Sequence, residues 1–221
     1  MKTQEFKELV YQEFALIAGA FAHPKRVEMI EILAQGERNV EGLARSVSLT
    51  VANTSRHLQL LKNARLVKSR KVGVTVYYSL ADEQVVGCLK SLQALAERRS
   101  AEIREVMHLF FKERDSLEPL SIDELRRRIE QEDVVLLDVR PKSEYATAHI
   151  RGALNMPLDE LKHKLHQLAR DRDIVAYCRG PYCVMSAEAV KLLREAGFRA
   201  FRLEQGVYEW KAAGLPVEEG A

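Results

Sequence analysis

Residues Asp173–Ser186 read DIVAYCRGPYCVMS. Ile174, Val175, Ala176 and Tyr177 make a short apolar run of the kind a buried strand needs. The run delivers Cys178 to a loop, and Ser186 opens a helix. A thiol where a strand gives way to a helix faces backbone N–H groups, which favour thiolate over thiol. Gly180 and Pro181 suit a tight path, and a second thiol, Cys183, stands inside the same loop.

Outward from this stretch, strands and helices alternate. Upstream, Ser121 is placed to cap the helix IDELRRRIEQ, with Glu124 completing a capping box. DVVLLDVR is an apolar run closed by charge, as in a parallel strand covered on both faces. A helix is expected over 158–169 (LDELKHKLHQLA), then the helix SAEAVKLLREAG, the strand FRAFRL and the closing stretch GVYEWKAAGLPV. This predicts an α/β domain with a parallel sheet over 116–221, its reactive loop at a strand's carboxyl end. Pro119 in KERDSLEPL marks the boundary with a first domain at 1–115.

Composition agrees with two domains. The net charge of +2 divides unevenly: residues 1–115 carry 18 Lys and Arg against 14 Asp and Glu, and residues 116–221 carry 16 against 18. Between Glu41 and Asp82 there is no carboxylate, while Arg45, Arg56, Lys62, Arg65, Lys68, Arg70 and Lys71 fall in that window. A basic stretch free of acids is the footprint of a polyanion partner. No apolar run reaches membrane length and MKTQEFKELV has no signal-peptide core, so no membrane is expected and the cytoplasm is the expected location. Three cysteines, Cys88, Cys178 and Cys183, argue for redox or nucleophilic use rather than a disulfide framework. Cys88, in an apolar helical setting, reads as an inert buried thiol.

The first half is mainly helical. Phe6, Leu9, Val10, Phe14 and Ile17 share a helical stripe, and Pro24 fits the first turn of KRVEMIEILAQG, which Gly36 closes. VEGLARSV is a short helix, followed by a longer one that Thr50 can cap. Leu58, Leu61, Val51 and Thr54 are expected inside it. Asn53, Ser55, Arg56, His57 and Gln59 are expected on or near its outer face. Short helix, turn, helix with small polar and basic residues at its start is a helix-turn-helix. Lys68–Lys71 and Thr75–Leu80 then read as two strands joined near Gly73, a basic wing. Asn53, Arg56 and Gln59 can bond base edges, and Lys68, Arg70, Lys71 and Thr75 can meet phosphates. A long helical run over 82–113 carries a broad apolar stripe that includes Leu92, Leu95, Ile103 and Val106.

At this point the sequence ARSVSLTVANTSRHLQLLKNARLVKSRKVGVTVYYSL resembles the winged helix-turn-helix of the ArsR/SmtB family of bacterial repressors. The likeness rests on S-x-HL-x-LL-x-x-A-x-LV and on the wing ending VYYSL. The resemblance implies a homodimer, paired through its first and last helices, on a palindromic operator in double-stranded DNA. Many family members sense metal through a Cys-x-Cys pair ahead of the recognition helix or through Asp/His sets on the last helix. Here NVEGLARSV has no Cys, and Asp82 and His108 stand alone, so no metal site is expected.

The second half resembles a rhodanese domain over about residues 119–217. The likeness is carried by LLDVR (Leu136–Arg140), Glu144-Tyr145, HIRGALNMPL (His149–Leu158), Cys178, REAGF and EQGVYEW. It implies that Cys178 takes sulfane sulfur from a small donor such as thiosulfate or a persulfide, and passes it on as a cysteine persulfide with no cofactor. Arg179, Gly180, Tyr182, Cys183 and Ser186 form the supporting loop, with Arg179 available to steer an anion. Asp138 and Arg140 sit where the family keeps charges near the loop, as structural support. Cys183 departs from the family pattern, either as a thiol that resolves a Cys178 persulfide into a disulfide or as a bystander filling the loop. A phosphatase-like reaction needs an arginine where Val184 stands.

Two functions follow as expectations. One is a dimeric regulator whose DNA affinity depends on the sulfur or redox state of Cys178 and Cys183. The other is a sulfurtransferase that DNA binding merely localises. A thiophilic-metal sensor at the two thiols is a weaker third, because two thiols alone make a poor metal site.

Overall fold

The computed structural model describes residues 2–112, 119–131 and 134–220. The chain divides into two units, Met1–Leu95 and Ala96–Ala221. The boundary expected at 115/116 lies outside the described residues.

In the first unit, α1 (Thr3–Phe21) and α2 (Pro24–Leu33) precede a short strand β1 (Arg38–Asn39), then α3 (Val40–Ser46) and α4 (Val51–Asn63). Local chemistry sets each start. His23 Nδ1 accepts from the Lys25 N–H at 3.1 Å ahead of Pro24. Asn39 Oδ1 accepts from the Gly42 N–H at 2.8 Å, and a Cβ on Gly42 would sit 2.8 Å from that same oxygen. Thr50 Oγ1 accepts from the Asn53 N–H at 3.2 Å, as the sequence predicts. Between α3 and α4 Ser48 takes φ 54°, which turns the chain sharply.

The wing is β2 (Val67–Val72) and β3 (Thr75–Leu80), antiparallel around Gly73 at φ 60°, with β1 adding a third strand beside β3. Met29, Ile30, Leu43, Leu58 and Leu61 are fully buried in the core of this unit. Val51, expected inside, is 45% exposed, because the first turn of α4 stands clear of that core. The apolar side of α1 is also open, with Phe6, Leu9 and Phe14 exposed.

The helix expected over 82–113 is two helices. The first, α5 (Gln84–Arg99), contains the Leu95–Ala96 division, and α6 (Ala101–Lys112) follows. Ser100 separates them: its Oγ accepts from the Ile103 N–H at 3.2 Å and so caps α6. Cys88 on α5 is exposed rather than buried, since Val85, Val86 and Leu89 take the inward face.

The second unit continues with α7 (Ile122–Glu130), β4 (Val134–Asp138), α8 (Lys142–Tyr145), β5 (His149–Ile150) and β6 (Leu154–Asn155). After these come α9 (Leu158–Lys164), β7 (Asp173–Tyr177), α10 (Met185–Glu195), β8 (Ala200–Arg202), α11 (Val207–Ala212) and β9 (Val217–Glu218). Ser121 caps α7, its Oγ accepting from the Glu124 N–H at 3.2 Å; the Glu124 carboxylate turns instead to Arg127 and Arg128. α9 ends at Lys164 and a single 3-10 turn, Leu165–Gln167, replaces the rest of the helix expected to 169.

The main sheet has the order β6-β4-β7-β8 and is parallel throughout. β7 is central, so Ile174, Val175, Ala176 and Tyr177 are fully buried and need apolar side chains on both faces. Ile174, Ala176 and Cys178 face the core under α9 and α10, while Val175 and Tyr177 face Trp210 and Leu203. The carboxyl ends of β4, β7 and β8 lie side by side, with Asp138 opposite Tyr177 and Ala176 opposite Arg202.

Candidate functional site

Cys178 follows the last residue of β7 and is 1% exposed. Its Sγ lies 3.1 Å from Ser186 Oγ in the first turn of α10 and 3.4 Å from the Cys183 carbonyl oxygen. Gly180, at φ 145°, folds the loop back so that its N–H and that of Ser186 point at the same sulfur. Burial raises the thiol's pKa. Hydrogen bonds from the Cys183 thiol, the Ser186 hydroxyl and the two N–H groups outweigh burial and pull it down to about 7. Cys183 moves the other way, well above the ordinary thiol value, because its proton is shared with Cys178 Sγ and its surroundings are dry. The arrangement favours the thiolate on Cys178 and keeps the proton on Cys183 beside it.

The direction of the Cys178 shift fixes a pH dependence. Thiolate is the reacting form, so alkylation of Cys178 by iodoacetamide should climb about tenfold per pH unit below a midpoint near 7 and level off above it. A midpoint near 9, read by peptide mass spectrometry, would contradict the loop geometry.

Arg179, expected to be available to an anion, is already held. Its Nε and Nη2 donate to the two carboxylate oxygens of Glu144 at 3.0 and 2.7 Å, and Glu144 is itself 1% exposed. The charge of Glu144 fixes Arg179 and with it the loop. Asp138 and Arg140 form a second buried pair, with Arg140 Nη2 at 2.6 Å and Nε at 3.0 Å from the carboxylate. Arg140 Nη2 also donates to the Ala148 carbonyl at 2.8 Å, tying the end of β4 to the segment before β5. Tyr182 projects from the loop to α5 and donates to Glu97 Oε1 at 2.6 Å.

Two residues of this site escape the sequence reading. Arg202, at the end of β8, is 4% exposed on the Cys178 side of the sheet, between Phe201 and Leu203, which face the opposite side. The alternation of FRAFRL could have flagged it as an arginine pointing inward. Gly206 stands so close to the loop that a Cβ there would lie 2.6 Å from the Arg179 carbonyl carbon and oxygen. Nothing in its own neighbourhood of the sequence signals that approach.

On the first unit, Thr50, Asn53, Ser55, Arg56 and Gln59 are exposed along α4 while Thr54, Leu58 and Leu61 are buried. Gln59 Nε2 is bonded to Asn63 Oδ1 at 2.7 Å. His57 is half-buried with its ring 4.4 Å from that of His23, and burial, then His23, Arg26 and Arg56, lower its pKa. Lys68 and Lys71 are exposed on the wing and Thr75 is half-buried. Arg70 is engaged: Nε and Nη2 reach the two oxygens of Glu37 at 2.7 and 2.5 Å, and its guanidinium lies 5.2 Å from the Tyr77 ring centroid. Among the described residues no group of three or more His, Cys, Asp or Glu could hold a metal, and no helix is long and apolar enough to cross a membrane.

Residues 23–69 match the family of bacterial regulatory proteins of the arsR type, and residues 121–213 match the rhodanese-like domain. The chain is 40% identical over 216 residues to the HTH-type transcriptional regulator Rv0324 of Mycobacterium tuberculosis, covering 97% of this chain and 94% of that protein. It is 33% identical over 93 residues to a sulfurtransferase of Allochromatium vinosum, covering 42% of this chain and 85% of the other. Among solved structures, it is similar to the homodimeric winged helix-turn-helix DNA-binding domain of Mb0332 from Mycobacterium bovis. That likeness is 31% identical at a TM-score of 0.41, over 43% of this chain and 89% of that one. The helix-turn-helix, the wing and the cysteine loop thus sit in one chain whose likeness to a transcriptional regulator runs almost end to end. The protein belongs to the ArsR-family DNA-binding transcriptional regulators that carry a rhodanese-like domain after the helix-turn-helix.

Proposed function

We propose that this regulator sets its affinity for operator DNA by the sulfur state of Cys178. The observation that carries the reading is a buried Cys178 held 3.1 Å from Ser186 Oγ, with a second buried thiol, Cys183, in the same loop. Cys178 thiolate attacks the sulfane sulfur of a donor such as thiosulfate. The Cys178 S–S bond forms, the donor's sulfur–sulfur bond breaks, and sulfite leaves with the electron pair. Cys183 can then attack the inner sulfur, giving a Cys178–Cys183 disulfide while its proton leaves with the outer sulfur as hydrosulfide. Both products replace a hydrogen-bonded thiol pair with a different loop.

On the DNA side, α4 enters a major groove with Thr50, Asn53, Ser55, Arg56, His57 and Gln59 toward it, and Asn53, Arg56 and Gln59 read base edges. Lys68, Lys71 and Thr75 meet phosphates, joined by Arg70 when Glu37 releases it. A homodimer formed through the exposed apolar sides of α1, α5 and α6 presents two such helices to a palindrome. The signal travels along α5, whose Glu97 accepts the Tyr182 hydroxyl from the sulfur loop. Sulfur must favour one of two arrangements of the dimer, since a change with no such preference regulates nothing.

The test is DNA affinity for the chain's own upstream region, with reduced protein against protein treated with a persulfide donor. Wild type should change by about tenfold, and Cys178→Ser should not respond. Unchanged tight binding by the treated wild type overturns the sensing. It leaves the second reading, which the rhodanese-like match favours: a sulfurtransferase whose helix-turn-helix localises it. That enzyme would turn over with a small acceptor at the same rate when DNA binding is lost.

A further inference from the structure

We propose that Arg202 is the charge partner of the sulfur loop, its buried Nε–H and Nη1–H serving the anion that Cys178 carries. Among the described residues, three cationic side chains stand at or just past the carboxyl ends of β4, β7 and β8, and two are committed. Arg140 is locked on Asp138 and Arg179 on Glu144. Arg202 differs: among the described residues its Nε and Nη1 are buried with no hydrogen-bond partner. Its guanidinium lies 4.0 Å from the ring centroid of Phe111 on α6, a buried aromatic face that keeps water off it.

Position supplies the rest. Arg202 pairs in register with Ala176, two residues before Cys178, and its side chain leaves the sheet on the face shared by Ala176 and Cys178. An arginine held dry without an anion is costly, and the cost falls when a negative charge forms nearby. Cys178 is the charge that acts on it most strongly, ahead of Glu204 and Cys183, and all three oppose the lowering caused by burial. A persulfide ends in a sulfur that is itself anionic, so sulfur uptake keeps the charge and extends it beyond Sγ. That second half rests on the sulfur-carrying reading above; the thiolate half does not.

Among the described residues, the groups that act on or are acted on by Cys178 are Cys183 within the loop, Ser186 on α10, Arg179 (neutralised by Glu144) and Arg202, with Glu204 competing for the last. Removing Arg202's charge should therefore move Cys178 in one direction. In reduced full-length protein, Arg202→Met should raise the pH midpoint of Cys178 alkylation by iodoacetamide by about one unit. The rate then falls about tenfold well below neutrality and about fivefold at about pH 7, while the high-pH plateau is unchanged. Arg202→Lys should keep most of the wild-type profile. Folding is followed by the fluorescence of Trp210, the single tryptophan of the chain. If Arg202→Met does not fold, Arg202→Gln, which keeps donors and loses the charge, should shift the midpoint the same way. Superimposable profiles for wild type and a folded neutral variant overturn the proposal.

A parallel arm exposes each protein to thiosulfate or polysulfide and measures the added mass of one sulfur on Cys178. A midpoint shifted by Arg202→Met, with a wild type that takes up no sulfur, means that the charge partner stands and sulfur carrying fails. Sulfur uptake with an unmoved midpoint means the reverse.

Discussion

Asp138→Asn is expected to destabilise the second unit by about 3–5 kcal/mol. Both members of the Asp138–Arg140 pair are essentially out of water, at 0% and 1% exposure, so the guanidinium depends wholly on protein groups. Asp138 accepts from the Arg140 backbone N–H at 2.9 Å as well as from its side chain, so one carboxylate shapes the turn and neutralises the charge. The amide keeps the volume, removes the charge and sets an NH2 against Arg140 Nη2–H. Trp210 is buried in the same unit and distant in sequence from the substitution, so urea unfolding followed by its fluorescence reads this unit by itself. Two units in one chain make a single whole-protein midpoint ill-defined, which is why a local probe is needed. Adding Arg140→Met should recover part of the loss, because a neutral side chain of similar size no longer needs the anion. An Asp138→Asn protein with wild-type stability would show that the pair is hydrated.

Gly206→Ala should strike the sulfur loop from outside. The new methyl carbon would lie 2.6 Å from the Arg179 carbonyl carbon and oxygen and 2.8 Å from the Cys178 carbonyl oxygen, distances no real Cβ tolerates against backbone. The glycine is at φ −110°, so the demand is for space and not for an unusual backbone angle. Overpacking of this kind costs about 1–3 kcal/mol, and here the yielding part is the Arg179–Gly180 peptide, whose N–H points at Cys178. The alkylation midpoint of Cys178 should rise from about 7 toward the ordinary thiol value. A folded Gly206→Ala protein with an unchanged midpoint would mean that the loop's hydrogen bonds survive displacement.

These two residues illustrate which parts of the molecule can be read without a structure. The start of α4 at Thr50, the buried run of β7 and the wing turn at Gly73 each rest on a signal within a few residues: a cap, an apolar run, a glycine between two strand-like runs. Cys178 at the end of its strand is legible for the same reason. Pairings between distant residues are not. Arg179 meets Glu144 across 35 positions and Arg70 meets Glu37 across 33, and no periodicity links either pair. The break at Ser100 was also hidden, because apolar spacing runs through it while the cap at Ser100 restarts the helix. Cys88 and Val51 fail differently: both lie on helices, and which side is outward depends on what packs against them.

The Arg70–Glu37 pair bears on how the wing would respond to ionic strength. A phosphate that takes Arg70 must displace a carboxylate already seated on both guanidinium nitrogens, so it exchanges one anion for another. Counterions leave DNA in proportion to the phosphates neutralised, and Glu37 is left to gather cations of its own as those depart. The Arg70 contact would thus contribute to register on the duplex and add little to the salt slope, leaving Lys68 and Lys71 to carry that dependence.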